Sequence, residues 1–245
     1  MFRRWLVALV LCAAAASLSI IYVDRTIADW AHQHEVLENI LRSGPIQLPI
    51  LQGVAVVLLF AGGLGAKPSS EIRGSAWVAL QAGIAMACAM SLNIFLLKPA
   101  FGRTVPWLYF AHNQYAFHPF HASTLLGSFP SGHAVLVAAL LSVIWILFPK
   151  VRPICIVAAS GISAALILGE YHFFSDLIAG GFVGATVGIL TVKSTNALIV
   201  RERVASYDVL DAGVRRFIET LLGVAPRGTP TIKVEASAPL QRHRS

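Results

Sequence analysis

Apolar residues fill whole stretches of this chain, and the short polar clusters between them carry most of the charge. Six stretches stand out as bilayer-crossing helices: residues 5–23, 46–66, 75–97, 131–149, 153–171 and 175–193. A hydrocarbon core about 30 Å thick takes roughly 20 residues at a helical rise of about 1.5 Å, which each stretch approaches or exceeds. The pattern predicts an all-α, polytopic membrane protein: a bundle of six transmembrane helices. Small residues recur in every stretch, as close packing between helices in lipid requires. Gly180, Gly184 and Gly188 stand four residues apart, a smooth stripe expected to serve packing.

Two flanking segments have apolar residues at helical spacing among polar ones. Trp30, Val36, Leu37, Ile40 and Leu41 give residues 29–42 a face suited to the outer membrane interface. Val209, Leu210, Val214, Phe217, Ile218 and Leu221, backed by Arg215 and Arg216, do the same for residues 207–222 at the inner interface. Past Gly223 the chain turns rich in Pro, Gly and Ser, and disorder is expected there. The expected organisation is one membrane domain over 1–195, with no internal repeat, and a cytoplasmic tail over 196–245. Arg3-Arg4, a short apolar run and Ala13 to Ala16 also match a cleavable leader. Apolar character continues through Val23, which favours a retained helix.

Composition agrees with a membrane protein. Charged residues make up 13%, hydrophobic residues 56%, and mean hydropathy is +0.71, whereas soluble domains carry about 25% charged residues. The net charge of +7 does not make a nucleic-acid surface, because the basic residues cap apolar stretches or lie in the tail. With Arg3-Arg4 inside, the inner segments hold Lys67, Arg73, Lys150, Arg152 and the basic tail from Lys193; the outer segments hold Arg25, Arg42, Lys98 and Arg103. That bias puts Lys98, His133, His172 and Asp176 on the outer face, at helix ends. Cys12, Cys88 and Cys155 all fall inside apolar stretches and read as small hydrophobes, not as a disulfide framework.

The chemistry sits in two short motifs. Pro130-Ser131-Gly132-His133 opens the fourth stretch: Ser131 is a natural N-cap, Gly132 admits a ligand close to the backbone, and the helix N-terminus attracts an anion. His172 is followed one helical turn later by Asp176, a spacing at which a carboxylate fixes an imidazole tautomer. Taken singly, these residues also fit a plain capped helix start and an acid favoured by the helix dipole. Together, a helix-end anion site and an oriented histidine point to phosphoryl transfer.

These motifs resemble those of the type 2 phosphatidic acid phosphatase superfamily: Lys-x6-Arg-Pro, Pro-Ser-Gly-His and Ser-Arg-x5-His-x3-Asp. The resemblance covers roughly residues 90–190, in order. It implies that His172 attacks phosphorus to give a phosphohistidine, that Asp176 orients it, and that His133 protonates the leaving oxygen. Lys98, the Ser131 hydroxyl and the Gly132 N–H would hold phosphoryl oxygens, and no metal or cofactor is called for. The implied substrate is a lipid phosphate. The implied setting is a bacterial inner membrane, with the site on its periplasmic or extracellular side.

Two positions depart from that pattern. Val105 stands where the first motif has its arginine, and Ala165-Leu166 where the third has Ser-Arg, so both arginines that would clamp phosphate are absent. Glu170 adds a negative charge two residues before His172. Three readings stay open: Arg103 reaches in to bind phosphate; the substrate is a phosphodiester or other less charged group, as for a lipid phosphotransferase; or the site is inactive and binds lipid. The loop between the third and fourth stretches carries His112, His118 and His121 among aromatic residues. Their intervals fit no standard metal pattern, and a lid or headgroup-recognition loop is expected.

Overall fold

The computed structural model describes residues 2–34, 48–66, 74–121 and 123–221, with side chains to Leu198. It is all-α. Helix α1 covers Phe2–Tyr22, α2 Asp24–His32, α3 Leu48–Gly65 and α4 Ser75–Leu92. Helix α4 runs on through a π-helical turn, Asn93–Leu97, into a last turn, Lys98–Phe101. Then come α5 (Pro106–His112), α6 (Gly132–Leu147), α7 (Arg152–Leu168) and α8 (Phe174–Leu221).

Five segments are long and apolar enough to cross a membrane: Phe2–Tyr22, Leu48–Gly65, Ser75–Phe101, Pro149–Leu168 and Phe174–Leu198. The sixth expected span becomes α6, an apolar helix of 16 residues. Val135, Leu136, Ala139 and Val143 of α6 are wholly buried against Ala85, Met86 and Ala89 of α4, so α6 is a central core helix, apolar all round. The outer helices instead expose large hydrophobics, such as Val57 and Phe60 of α3 and Val157 of α7. Apolar faces of this kind in an all-helical bundle suit lipid as solvent.

The glycine stripe sets the spacing of α8 against α6. A Cβ on Gly184 would lie 2.2 Å from the Val135 carbonyl oxygen, and one on Gly188 would lie 1.9 Å from Ser142 Oγ. Only glycine permits that approach, and it brings the first turns of the two helices together: Ser131 N donates to the Asp176 carbonyl at 3.0 Å.

The chain divides into two units, Met1–Arg201 and Glu202–Ser245. All site residues belong to the first. Residues 207–222, expected as a separate helix, are helical through Leu221 as part of α8; the chain has no proline after Phe174 until Pro226 to end it. Of the other expected amphipathic segment, α2 holds the start and residues 35–42 lie outside the described residues, as does the tail beyond Leu221.

Candidate active site

Three chain segments meet at one end of the bundle: the last turn of α4 with the loop after it, the start of α6, and the turn from α7 into α8. At α6, Ser131 is the N-cap and its Oγ accepts from Ala134 N at 3.3 Å. His133 therefore sits in the first helical turn, among the unpaired backbone donors.

The α7 end explains where His172 points. Glu170 N donates to Ile167 O and Tyr171 N to Leu166 O, both at 3.0 Å, a Schellman closure with Glu170 in the left-handed region at φ 54°. Glycine is the usual residue there, and a side chain costs on the order of 1 kcal/mol. The Glu170 carboxylate is buried and lies 2.6 Å from Nδ1 of His32, whose ring stacks on Phe110 at 4.1 Å. Tyr109 donates to Asp29 at 3.0 Å, so α2 is tied across both α5 and the turn that carries His172.

His133 Nδ1 lies 3.2 Å from His172 Nε2, and His172 Nδ1 lies 3.6 Å from Asp176 Oδ2. Asp176 is wholly buried and firmly held: Oδ2 accepts from Ser128 Oγ at 2.6 Å and Phe173 N at 2.9 Å, and Oδ1 from Arg103 Nη1 at 2.5 Å. The structure thus brings together His133, His172 and Asp176, with Ser131 and Gly132 at the same helix start.

Arg103 is not where a phosphate ligand belongs. It is 1% exposed, and Nη2 donates to Asp24 at 2.7 Å and to the Tyr115 hydroxyl at 2.7 Å, while Nη1 also reaches Ser175 Oγ at 2.6 Å. The ring of Phe173 lies 4.3 Å from the guanidinium carbon, with Tyr115 and Phe117 close by. Burial disfavours its charge, but Asp176, Tyr115 and Asp24 outweigh that and hold its pKa above the ordinary value. Arg103 was expected to reach into the site for phosphate; in the structure its fork is engaged by two buried carboxylates, Asp24 and Asp176.

Gly102 makes this placement possible. At φ 58° it turns the chain out of α4, and its carbonyl accepts from His118 N at 2.8 Å. A Cβ there would lie 1.8 Å from the His118 carbonyl oxygen. Arg103 then pairs with Phe117 in an isolated antiparallel bridge, which folds the aromatic loop back over the guanidinium.

Asp24 escaped the sequence reading. It is buried at the α1–α2 junction and accepts from Ser19 Oγ at 2.7 Å and Ser175 N at 2.9 Å, besides pairing with Arg103. A carboxylate closing an apolar stretch was the available signal. Tyr115 completes the cluster, donating to Ile20 O at 2.9 Å; its pKa is pushed up by burial, with Arg103 opposing and Asp24 adding to the rise.

Lys98 lines a cavity of about 310 Å³ with His121, Ser123, Thr124 and Gly127. Among the described residues its ammonium has no hydrogen-bond or ion-pair partner, and it is near enough to Asp176 to feel that charge. His172 lines a smaller cavity with Asp24, Phe110, Glu170 and Phe173. The two positions that lack arginine are occupied differently. Val105 is half-buried, and Leu166 is 1% exposed in a small apolar cluster with Ala134 and Leu177. Among the described residues no three His, Cys, Asp or Glu groups are arranged to hold a metal ion.

Comparison with known proteins bears on what this arrangement does. The sequence profile of the PAP2 superfamily matches residues 78–199, the stretch that holds every group named above except Asp24, His32 and their neighbours. A lipid A 1-phosphatase of Rhizobium etli is 29% identical over 195 residues, covering 77% of this chain and 84% of that protein. A lipid A 1-phosphatase of Rhizobium johnstonii is 30% identical over 143 residues, 56% of this chain and 58% of that one. Among solved structures, a transmembrane PAP2-type phosphatidylglycerolphosphate phosphatase of Bacillus subtilis aligns over 79% of this chain and 94% of its own, at 20% identity and TM-score 0.43.

Proposed function

We propose that this chain, which belongs to the PAP2 superfamily, hydrolyses a lipid phosphate through a phosphohistidine on His172. The observation that carries the reading is the line Asp176–His172–His133, with the carboxylate immobilised at one end. Asp176 Oδ2 faces His172 Nδ1 at 3.6 Å; closing that gap to a hydrogen bond keeps the proton on Nδ1 and leaves the Nε2 lone pair as nucleophile. Nε2 attacks phosphorus as the bond to the lipid oxygen breaks, and His133 Nδ1 gives that oxygen its proton. Water then attacks the phosphohistidine, gives its proton to His133, and releases inorganic phosphate with His172 restored. Lys98, the Ser131 hydroxyl and the Gly132 N–H hold the phosphoryl oxygens, where developing charge is worth most to stabilise. The facing ring nitrogens stand 3.2 Å apart, so His133 swings aside to admit the phosphoryl group.

The placement of basic residues supports a site on the periplasmic or extracellular face of an inner membrane, with the 196–245 tail cytoplasmic. The relatives named for lipid A 1-phosphate chemistry support a lipid-borne phosphate as substrate.

A second reading rests on Leu166 and Arg103. With one arginine position filled by a buried leucine and Arg103 turned inward, the site is poor in cations, which favours a phosphodiester or transfer to a lipid alcohol. The experiment is trapping: purified protein is mixed with labelled lipid phosphate monoesters and diesters, and acid-labile phosphoenzyme is measured. Label from a monoester that His172→Ala abolishes supports hydrolysis. Label from diesters alone supports the second reading. No label and no turnover on any lipid overturns both and leaves an inactive, lipid-binding member.

A further inference from the structure

Helix α4 does not reach Lys98 as a plain α-helix. Asn93–Leu97 form a π-helical turn, and the Lys98 N–H donates to the Asn93 carbonyl oxygen. Turns of this kind are rare and occur often at functional sites. On an α-helix residues three and four apart share a face. A hydrogen bond across five residues instead brings Lys98 round above Asn93, on the same side of α4.

That side faces the start of α6. Asn93 is wholly buried within an apolar span, where a polar side chain is costly. Its Nδ2 donates to the Pro130 carbonyl at 3.4 Å, a long hydrogen bond, and a Cβ on Gly132 would lie 3.6 Å from the same nitrogen. Among the described residues its Oδ1 has no hydrogen-bond partner. A buried amide with one long bond and one idle acceptor adds little to stability, and an apolar side chain of the same outline would serve as well. What the amide alone can do is join two elements. Its main chain holds the backbone of Lys98, and its side chain holds the turn leading into Ser131 and Gly132. The other side of that turn is already tied, through Ser131 N to the Asp176 carbonyl at 3.0 Å.

We propose that Asn93 is a positioning residue for the phosphate site: it sets the spacing between the Lys98 ammonium and the Gly132 N–H so that both meet one phosphoryl group. The inference rests on the proposed function, which makes those two groups the phosphate donors.

The test uses the full chain in neutral detergent, with orthovanadate as probe because it adopts the five-coordinate shape of a phosphoryl group in transfer. Calorimetry reads its affinity, beside turnover of a lipid phosphate monoester and the unfolding midpoint. In Asn93→Leu, orthovanadate is expected to bind at least tenfold more weakly and kcat to fall by a similar factor at an unchanged midpoint, since a misplacement of about 1 Å costs about a hundredfold. In a Lys98→Met background the same substitution should cost about threefold or less, because one of the two groups it aligns is gone. Unchanged orthovanadate affinity, an equal loss in both backgrounds, or a loss that only tracks a lowered midpoint would overturn the proposal. A native chain that binds no orthovanadate overturns it together with the catalytic reading. One that binds orthovanadate but turns over no lipid removes the catalytic reading alone, and the affinities still decide the role of Asn93.

Discussion

Replacing Arg103 by lysine keeps one positive charge in the buried cluster and removes the fork that spans two carboxylates. In the native chain Nη2 serves Asp24 at 2.7 Å and Nη1 serves Asp176 at 2.5 Å, all three side chains being at most 1% exposed. A lysine ammonium is a compact point charge that satisfies one of these partners well and the other poorly. The partner left behind loses a charged hydrogen bond worth about 1.5–3 kcal/mol. Complete removal, as in Arg103→Met, strands both carboxylates at about 3–5 kcal/mol per broken buried pair. Against a total stability of about 5–15 kcal/mol that variant is expected to misfold, so the lysine variant is the informative one. Its unfolding free energy in micelles should fall by about 1.5–3 kcal/mol. If Asp176 shifts by even 1 Å, alignment of His172 suffers and kcat should drop about a hundredfold, with KM nearly unchanged. Steady-state kinetics on a lipid phosphate monoester in mixed micelles, beside denaturant unfolding, measures both. A raised KM with unaltered kcat and stability would refute the reasoning, because it would put the guanidinium on the substrate.

Gly102→Ala combines a left-handed φ with a clash against the His118 carbonyl, and should cost more than about 3 kcal/mol in unfolding experiments or prevent folding. Because Tyr115 has its pKa raised in the fold, the unfolded chain sheds that proton first as pH climbs. Its contribution is therefore complete below about pH 10 and is lost above it, and Tyr115→Phe should flatten the alkaline limb of the stability curve. Asp24→Asn should preserve folding while slowing His172 phosphorylation at least tenfold, read by rapid-quench labelling; a wild-type rate would rule out an electrostatic role for Asp24.

Much of this was legible in the chain because lipid writes a strong signal. All six apolar stretches became helices, with ends within a few residues of those expected except where α4 and α8 run on. Helix α6 is an apolar helix of 16 residues, shorter than the other five candidate spans, and hydropathy alone does not distinguish an apolar helix facing lipid from one facing protein. Ser131, Gly132, His133, His172 and Asp176 were visible because each lies beside a helix start, where spacing along the chain translates directly into position. Arg103 was visible as a residue but not as a placement. Its partners Asp24 and Asp176 lie 79 and 73 residues away, and only tertiary folding reveals that they converge. Glu170 was likewise seen as an added charge, whereas its partner His32 comes from a helix across 138 residues of chain.

The charges in this cluster do not cancel, and that is the point of Asp24. Arg103 alone would neutralise Asp176 and weaken its hold on His172. With Asp24 sharing the guanidinium, the three groups keep one net negative charge in a site sealed from water. On the proposed mechanism, Nε2 of His172 would join phosphorus while Nδ1 keeps its proton; the ring would then be cationic, and a fixed negative field would favour that state over the neutral imidazole. A unit charge acting through an effective dielectric of about 20 over 5–10 Å contributes about 2–3 kcal/mol, enough for tenfold or more in rate. The cost falls on the substrate side, because the same field repels an incoming phosphate dianion. On the proposed mechanism, a centre built this way without an arginine clamp would make the imidazolium easily and would take phosphates that bring little charge of their own more readily than dianions.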